Sequence, residues 1–176
     1  LVTSYQYARL MSATENATLT HSDAAQRLGQ LWQRIHAAEA SAGRAAGSVN
    51  LLAVSKTFPV EAVNAIAACG QKAFGENYAQ EGVDKASARP ELEWHFIGPI
   101  QSNKTRGIAE HFSWAHTIDR LKIAERLSAQ RMELPEKLPL QVCVQVNISD
   151  EESKSGAAIT EAEALCAAVA LLPGLN

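Results

Sequence analysis

The feature that most constrains the fold is a strand followed by a helix, repeated five times. Five short apolar runs are the candidate strands, and they begin near Leu51, Ala73, Trp94, Trp114 and Gln141. Their starts are separated by 22, 21, 20 and 27 residues, which leaves room for one helix after each strand. A strand, a helix and a further strand in succession require parallel pairing with right-handed crossovers. The sequence therefore predicts an α/β fold built on a parallel sheet.

The predicted helices carry signals on their faces and at their ends. The first helix is predicted to have Ser22 or Asp23 as its cap, and its apolar side chains recur at three- and four-residue spacing, at Leu28, Leu31, Trp32 and Ile35. In the next helix, Pro59 lies in the first turn and Gly70 just past the end, the positions that these residues favour. Thr160 and Glu163 form a capping-box pattern at the start of the last helix. These signals place a helix on both sides of each candidate strand.

The fifth candidate strand distinguishes two architectures. An open, doubly wound sheet has strands that are apolar on both faces because helices cover both. In the segment "QVCVQVN" one face is apolar and carries Val142, Val144 and Val146. The other face is mostly polar and carries Gln141, Cys143, Gln145 and Asn147. A strand with helices outside and a partly polar interior is typical of a (β/α)8 barrel, which we favour over the open sheet.

The length of the chain bears on how much of a barrel it contains. The chain has 176 residues, whereas a complete eight-stranded barrel usually takes about 250. We therefore expect a barrel truncated after about five strands, the first two thirds of a longer protein. Residues 21–176 are predicted to form a single cofactor-binding barrel domain. Residues 1–20 are predicted to be disordered or an extension, with Met11 as the suspected native start.

Composition limits the partners and the compartment. The formal net charge is −3 and no basic patch stands out, which argues against nucleic acid and anionic membranes as partners. The longest apolar run, Ala164 to Leu172, is too short to span a bilayer, and no secretory signal is recognisable at the N-terminus. Cys69, Cys143 and Cys166 lie in apolar segments, which predicts buried, reduced thiols and a cytoplasmic protein.

Candidate site residues follow from the barrel prediction, because catalytic groups of barrels lie at the carboxyl ends of the strands. Of seven lysines, only Lys56 directly follows an apolar strand. Desolvation there would favour the neutral amine and imine chemistry, although a solvated surface lysine is the more common case. Asn77 and Asn147 follow later strands, where they are candidates for ligand contact or simply loop-forming amides. His95 lies inside the third strand, where its pattern favours a core histidine over a ligand.

Residues 98–105, "GPIQSNKT", resemble a phosphate-binding P-loop but lack its second glycine. Pro99 has no N–H to offer a phosphate, and Asn103 stands where the turn requires glycine. An ATP site is therefore excluded. The five histidines also show no H-x-x-x-H spacing, so no metal site is predicted.

Five sequence blocks resemble the pyridoxal phosphate homeostasis family, whose fold is similar to the N-terminal barrel of bacterial alanine racemases. The block "WHFIGPIQSNKTRGI" looks like the signature of that family. The blocks "AVSKTFP" and "FGENYAQEG" precede it, and "HTIDRLKIAERL" and "VQVNISDEESKSG" follow it in the same order. The resemblance covers roughly Leu51 to Gly156.

The resemblance implies a cofactor and roles for individual residues. Lys56 would hold pyridoxal 5′-phosphate as an imine, and Asn77 would lie beside the cofactor. His95 and Asn147 complete our set of candidate cofactor-binding residues. In the family, the amides that grip the phosphate and the arginine facing the pyridine nitrogen come from later strands, beyond Asn176.

The resemblance favours a cytoplasmic carrier that buffers pyridoxal phosphate without robust turnover and passes it to apoenzymes that require it. We expect this carrier to be a monomer. An amino-acid racemase, or another enzyme using the same lysine, is the alternative. Racemases of the similar fold need a second base, typically a tyrosine, and this chain offers Tyr5, Tyr7 and Tyr78. A scaffold without a ligand is the third hypothesis.

Overall fold

The computed structural model describes residues 4–8, 21–149, 151 and 155–176, with side chains described from residue 21 onward. The strands are β1 (Ser4–Ala8), β2 (Val49–Val54), β3 (Ala73–Glu76), β4 (Glu93–Phe96), β5 (Trp114–Ile118), β6 (Gln141–Val144), β7 (Val146–Asn147) and β8 (Ala157–Ala158). The helices are α1 (His21–Ser41), α2 (Val60–Ala67), α3 (Ala79–Ala88), α4 (Thr105–His111), α5 (Leu121–Met132) and α6 (Ile159–Val169). The predicted alternation is confirmed, with the five predicted strands present as β2 to β6.

The chain divides into two compact units, Leu1–Gly75 and Glu76–Asn176, and the boundary falls inside β3. In the first unit β2 lies between β1 and β3, parallel to both. In the second unit the last residue of β3, then β4, β5 and β6 are neighbours in that order. Neighbouring strands thus follow chain order within each unit. A doubly wound sheet reverses its strand order, whereas a barrel does not, so the predicted barrel type is the one observed.

Strand β1 was not among the predicted elements. It pairs in parallel with β2, from Ser4 opposite Val49 to Ala8 opposite Ala53. Its sequence, SYQYA, has only two strand-favouring tyrosines and no run of branched apolar residues, so the local signal is weak. The rest of the predicted N-terminal extension, including Met11, lies outside the described residues.

The first unit is held together by the apolar face of α1 packed on the start of β2. Leu28 and Ile35, which share the predicted helical face, cluster with Leu51 of β2. Leu51, Leu52 and Ala53 are all buried, so this strand has no polar face. Helix α2 adds two buried side chains, Val63 and Ile66. The predicted amphipathic helix is therefore confirmed on the side chains that predicted it.

A buried carboxylate joins α1 to β2. Glu39 is 2% exposed and accepts hydrogen bonds from the backbone N–H of Val49 at 2.7 Å and of Gly47 at 3.1 Å. The bond from Val49 is the largest of the influences that hold the pKa of Glu39 below its ordinary value. Gly47 has a φ of 74°, a conformation that glycine adopts without strain. The loop is thereby fixed at the entry to β2.

The core of the second unit lies between its strands and the helices that follow them. Trp94 and Phe96 are both 1% exposed, on the same face of β4. The ring of Phe96 packs edge-to-face on Phe112, at the end of α4, with centroids 5.5 Å apart. The buried side chains of the neighbouring helices include Ile108 in α4 and Leu127 in α5.

Arg131 satisfies carbonyl groups that the end of α4 leaves without helical partners. Its guanidinium donates to the carbonyls of Ala109 and Phe112 and, at 2.7 Å, to that of Leu138. Arg131 is 6% exposed, and burial lowers its pKa from the ordinary value. One side chain thus ties α4, α5 and the loop before β6 together.

Glu76, the last residue of β3, forms a buried ion pair with Lys85. Lys85, on α3, lies 2.7 Å from Glu76 Oε1 and 2.7 Å from Glu81 Oε1. The Glu76 side chain is fully buried and that of Lys85 is 7% exposed. Helix α3 lies close to the end of β3 at Gly82. A Cβ there would lie 2.6 Å from the Phe112 ring and 3.0 Å from Glu76 Cβ, so the absence of a side chain permits this approach. The ion pair therefore fixes α3 against the strand end from which the next loop begins.

Three local predictions differ from the structure. Helix α6 begins at Ile159 with Ala158 as its N-cap and no side-chain cap, so the predicted capping box at Thr160 and Glu163 is wrong. Ser22 lies inside α1 because that helix begins at His21. Cys166 is exposed and Cys69 and Cys143 are half-buried, so the predicted burial of the three thiols is wrong. In each case a sequence pattern reports a local preference, and packing sets the actual boundary or exposure.

The last residues lie alongside β6. Leu140 N–H donates to Gly174 O at 2.9 Å, and Val142 N–H donates to Asn176 O at 2.9 Å. Leu175 bridges Leu140 in parallel. The C-terminal residues thus pair in parallel with the start of β6.

We predict that Lys85→Met lowers the free energy of unfolding by about 3 kcal/mol, because it removes the ammonium partner of a buried carboxylate. Urea unfolding measures the loss. Glu81→Gln is the matched control, since the Glu81 side chain is 31% exposed and its pairing with Lys85 is worth under about 1 kcal/mol. Equal losses in the two variants would contradict the importance of the Glu76–Lys85 pair.

Candidate functional site

Lys56 lies in a tight turn directly after β2. Ser55 N–H continues the ladder to Gly75 O at 3.0 Å, and Phe58 N–H closes the turn on Ser55 O at 3.1 Å. Lys56 occupies the second position of this turn and its side chain is half-buried. The structure thus places Lys56 where the sequence predicts it, at the carboxyl end of an apolar strand.

The residue after Lys56 has a strained backbone. Thr57 has a φ of 68°, the one positive value outside glycine among the described residues. A branched residue in that region costs about 1–3 kcal/mol, and glycine is the usual occupant of this turn position. Strain of this kind persists where surrounding structure enforces it, which occurs often at functional sites. The turn therefore holds the backbone of Lys56 in one defined conformation.

Asn77 directly follows β3. Its side chain is half-buried, and its amide oxygen is buried without a hydrogen-bond partner among the described residues. An unsatisfied buried amide oxygen costs about 1–3 kcal/mol, so such groups are rare unless a ligand or water completes them. This oxygen is a structural reason to regard Asn77 as a binding residue.

The backbone of Asn77 lies against Gly98, the residue that follows Ile97 at the end of β4. Ile97 N–H donates to Glu76 O at 2.8 Å and joins the two strand ends. A Cβ built on Gly98 would lie 2.8 Å from both the carbonyl carbon and Cα of Asn77, too close for any side chain. Gly98 is thus glycine because two loops meet there, and not because a phosphate requires it.

His95 makes its hydrogen bonds within the protein. It is fully buried, with Nε2 at 2.7 Å from Glu93 Oε1 and Nδ1 at 2.9 Å from His116 Nε2. Its ring stacks on Trp114, with centroids 5.5 Å apart and an angle of 5° between the planes. That setting favours the core role that its sequence pattern indicated, and contact between His95 and the cofactor stays a prediction.

The two histidines are uncharged at neutral pH. Burial is the main cause that lowers the pKa of His95, against the opposing effect of Glu93. Burial, with a smaller effect from His95, lowers the pKa of His116 to about 4. In the neutral pair, His95 Nε2–H donates to Glu93 and His116 Nε2–H donates to His95 Nδ1, which satisfies both nitrogens of His95. The pair therefore adds polar contacts to the core without adding charge.

Asn147 lies in the two-residue strand β7, and its side chain is hydrogen-bonded to the loop that follows. The amide Nδ2 donates to Glu151 O at 2.9 Å. Gly156 packs against the same strand, because a Cβ there would lie 2.6 Å from the Asn147 backbone nitrogen. These contacts fit a loop-forming amide, the alternative that the sequence left open.

The predicted residues thus have different local settings: Asn77 lies against Gly98, His95 is bonded to His116, and Asn147 is bonded to Glu151. Sequence reasoning missed the contact of Gly98 with Asn77, although Gly98 begins the segment "GPIQSNKT" that resembles a P-loop. It also missed His116, because a lone histidine in a strand gives no signal of its partner.

The described residues contain neither a metal-binding cluster nor a membrane-spanning helix. No group of three histidine, cysteine or acidic side chains there is arranged to hold a metal ion. None of the helices within the described part of the chain is long and apolar enough to cross a membrane.

Comparison with known proteins gives the family. The profile of the family described as alanine racemase, N-terminal domain, matches residues 27–176. The pyridoxal phosphate homeostasis protein of Escherichia coli K12 is 54% identical over 161 residues, which cover 88% of this chain and 68% of the relative. The protein of the same name from Pseudomonas aeruginosa is 54% identical over 158 residues, which cover 88% and 67%. The chain therefore spans about two thirds of the length of these relatives.

Solved structures agree. PipY of Synechococcus elongatus PCC7942, in a structure with pyridoxal phosphate bound, is 33% identical with a TM-score of 0.71, and the match covers 87% of this chain and 66% of PipY. Alanine racemase from Corynebacterium glutamicum has a TM-score of 0.59 at 18% identity, covering 96% of this chain and 43% of the racemase, which shows a shared fold alone. The chain belongs to the pyridoxal phosphate homeostasis protein family, whose fold is that of the alanine racemase N-terminal domain.

Proposed function

We propose that this protein binds pyridoxal 5′-phosphate through Lys56 and acts as a carrier in pyridoxal phosphate homeostasis. One observation carries the proposal: Lys56 is half-buried in a defined turn after β2, in a chain 54% identical to relatives that are named for that role. PipY, 33% identical, has been solved with the same cofactor bound. Cytoplasmic location, a monomeric state and transfer to apoenzymes that require the cofactor are finer parts of the same proposal.

Lys56 would be the attachment point. Pyridoxal phosphate supplies an aldehyde that condenses reversibly with a primary amine. Lys56 supplies such an amine, and the hydrogen bond from Phe58 N–H to Ser55 O, together with the strained Thr57, restricts where its side chain can reach. A defined backbone lowers the entropy lost when the lysine is immobilised.

Asn77 would be a second contact. It directly follows β3, the next strand along the chain after the one that Lys56 follows. The buried oxygen of the Asn77 amide has no partner among the described residues, so the residue fits a ligand that brings polar groups. Because an amide both donates and accepts, it can complement either a donor or an acceptor on the cofactor ring.

An amino-acid racemase is the alternative that the fold leaves open. It would need a second base, and Tyr78, which follows Asn77, has a side chain that is 57% exposed. A general base works best when it is held within hydrogen-bond reach of the proton it takes. Incubation with L-alanine in deuterated water separates the two functions, because exchange of the α-proton requires turnover and a carrier gives none.

We predict that borohydride reduction of the protein loaded with pyridoxal phosphate leaves the pyridoxyl group on the Lys56 peptide, as read by digestion and mass spectrometry. Lys56→Arg keeps the positive charge but offers no amine able to condense, so its label and its visible absorbance should be lost. Lys72→Ala is the matched control, since Lys72 is an exposed lysine of the same unit. Label on Lys104, Lys122 or Lys154 in place of Lys56 would overturn the assignment.

We predict that Asn77→Ala weakens retention of pyridoxal phosphate about five-fold, the equivalent of one hydrogen bond of about 1 kcal/mol. The dissociation constant, measured by absorbance during dialysis, gives the effect, and thermal unfolding shows that the fold is kept. Asn147→Ala is the matched comparison, because the Asn147 amide donates to Glu151. Unchanged retention in Asn77→Ala would remove Asn77 from the site, and an equal loss in Asn147→Ala would add Asn147 to it.

A further inference from the structure

Strand β5 contains a bulge near its carboxyl end. Ala115 pairs with Val142 and Ile118 pairs with Val144, so β5 spends three residues where β6 spends two. Both Ala115 and Ile118 are fully buried. In a regular strand, residues three apart point to opposite faces, and the extra residue of the bulge interrupts that alternation. Thr117, within the bulge, is thereby released from the regular alternation.

The hydroxyl of Thr117 has a specific partner. It donates to the carbonyl oxygen of Gly98, across from the end of β5 to the loop that follows β4. The preceding residue in that loop, Ile97, is joined to Glu76 by the last backbone bond between the two strand ends. Gly98 has no side chain and Pro99 has no N–H, so this stretch of loop has few groups of its own to anchor it. The Thr117 bond supplies an anchor at the glycine itself.

Gly98 links the Thr117 hydrogen bond to Asn77 because its backbone packs directly against that of Asn77. The two backbones are so close that no Cβ fits between them, so a displacement of Gly98 changes the space available to Asn77. The amide oxygen of Asn77 is buried without a partner among the described residues, and its direction depends on where that backbone lies. The series from Thr117 to Gly98 to Asn77 is contained within the second unit.

We propose that Thr117 is a positioning residue for the pyridoxal phosphate site, which acts through the Gly98 carbonyl to hold the backbone of Asn77 and so direct its amide. Thr117 itself does not touch the cofactor. The inference rests on the proposed function, since it assigns Asn77 to the cofactor. It adds a residue that a contact with the ligand would not identify.

The test compares Thr117→Val, which keeps the branched shape and removes the hydroxyl, with Thr117→Ser, which keeps the hydroxyl. Hydrogen–deuterium exchange of the ligand-free protein reports the anchor, and the dissociation constant of pyridoxal phosphate reports its effect. We expect Thr117→Val to speed exchange at the Ile97 amide several-fold and to weaken retention about five-fold, as for loss of one hydrogen bond. Thr117→Ser should restore both.

Arg120→Ala is the matched control. Arg120 donates to Ile100 O at 3.2 Å, in the same loop but two residues beyond Gly98, and its side chain is 49% exposed. We expect its loss to leave retention unchanged. If Thr117→Val does not fold, Thr117→Ala tests the same bond with a smaller side chain.

The outcomes separate this inference from the proposed function. Faster exchange with unchanged retention would make Thr117 structural only and overturn the inference. Unchanged exchange would overturn the anchor. If the wild-type protein holds no pyridoxal phosphate at all, the proposed function fails together with the cofactor role of Thr117, while exchange still decides whether the anchor exists.

Discussion

Parallel pairing of strands in chain order is the constraint on which the rest of this structure depends. After each strand, the chain has to run back to the edge of the sheet at which the strands begin. A helix forms that crossover connection. Within each unit the carboxyl ends of the strands therefore lie at one edge, followed by short loops. Lys56 after β2 and Asn77 after β3 occupy such positions, as does Gly98 after β4. The candidate site residues proposed for this chain therefore include residues at that edge.

Buried polar groups fix several of the loops at both ends of the strands. Glu39 fixes the entry to β2 through backbone N–H groups, and Lys85 holds Glu76 at the end of β3. Arg131 satisfies the carbonyls at the end of α4. Buried charges of this kind are costly unless paired, so each enforces one arrangement of its neighbours. Of the three, the Glu76–Lys85 pair lies at a carboxyl end, next to Asn77, where an anchored loop would lower the entropy lost when a ligand binds.

The sequence predicted the larger elements because each has a strong local signal. Five apolar runs and the helical spacing of Leu28, Leu31, Trp32 and Ile35 gave the alternation that the structure has. Strand β1 escaped prediction because its residues are held by pairing with β2 and not by their own propensity. The capping box at Thr160 failed because the helix begins at Ile159, two residues earlier than the pattern requires. Local patterns therefore located elements better than their ends.

By itself the sequence determined the α/β alternation and the position of Lys56 after an apolar strand. It also determined the family, because five motifs in the same order can be recognised without knowledge of any contact. Only the tertiary structure decided what surrounds the candidate residues. The bond between His95 and His116 and the buried, unpartnered oxygen of Asn77 depend on how separate segments pack. The same is true of the contact between Gly98 and Asn77. Spacing along a chain fixes which face a side chain takes, but hydrogen bonds form between segments that only folding brings together.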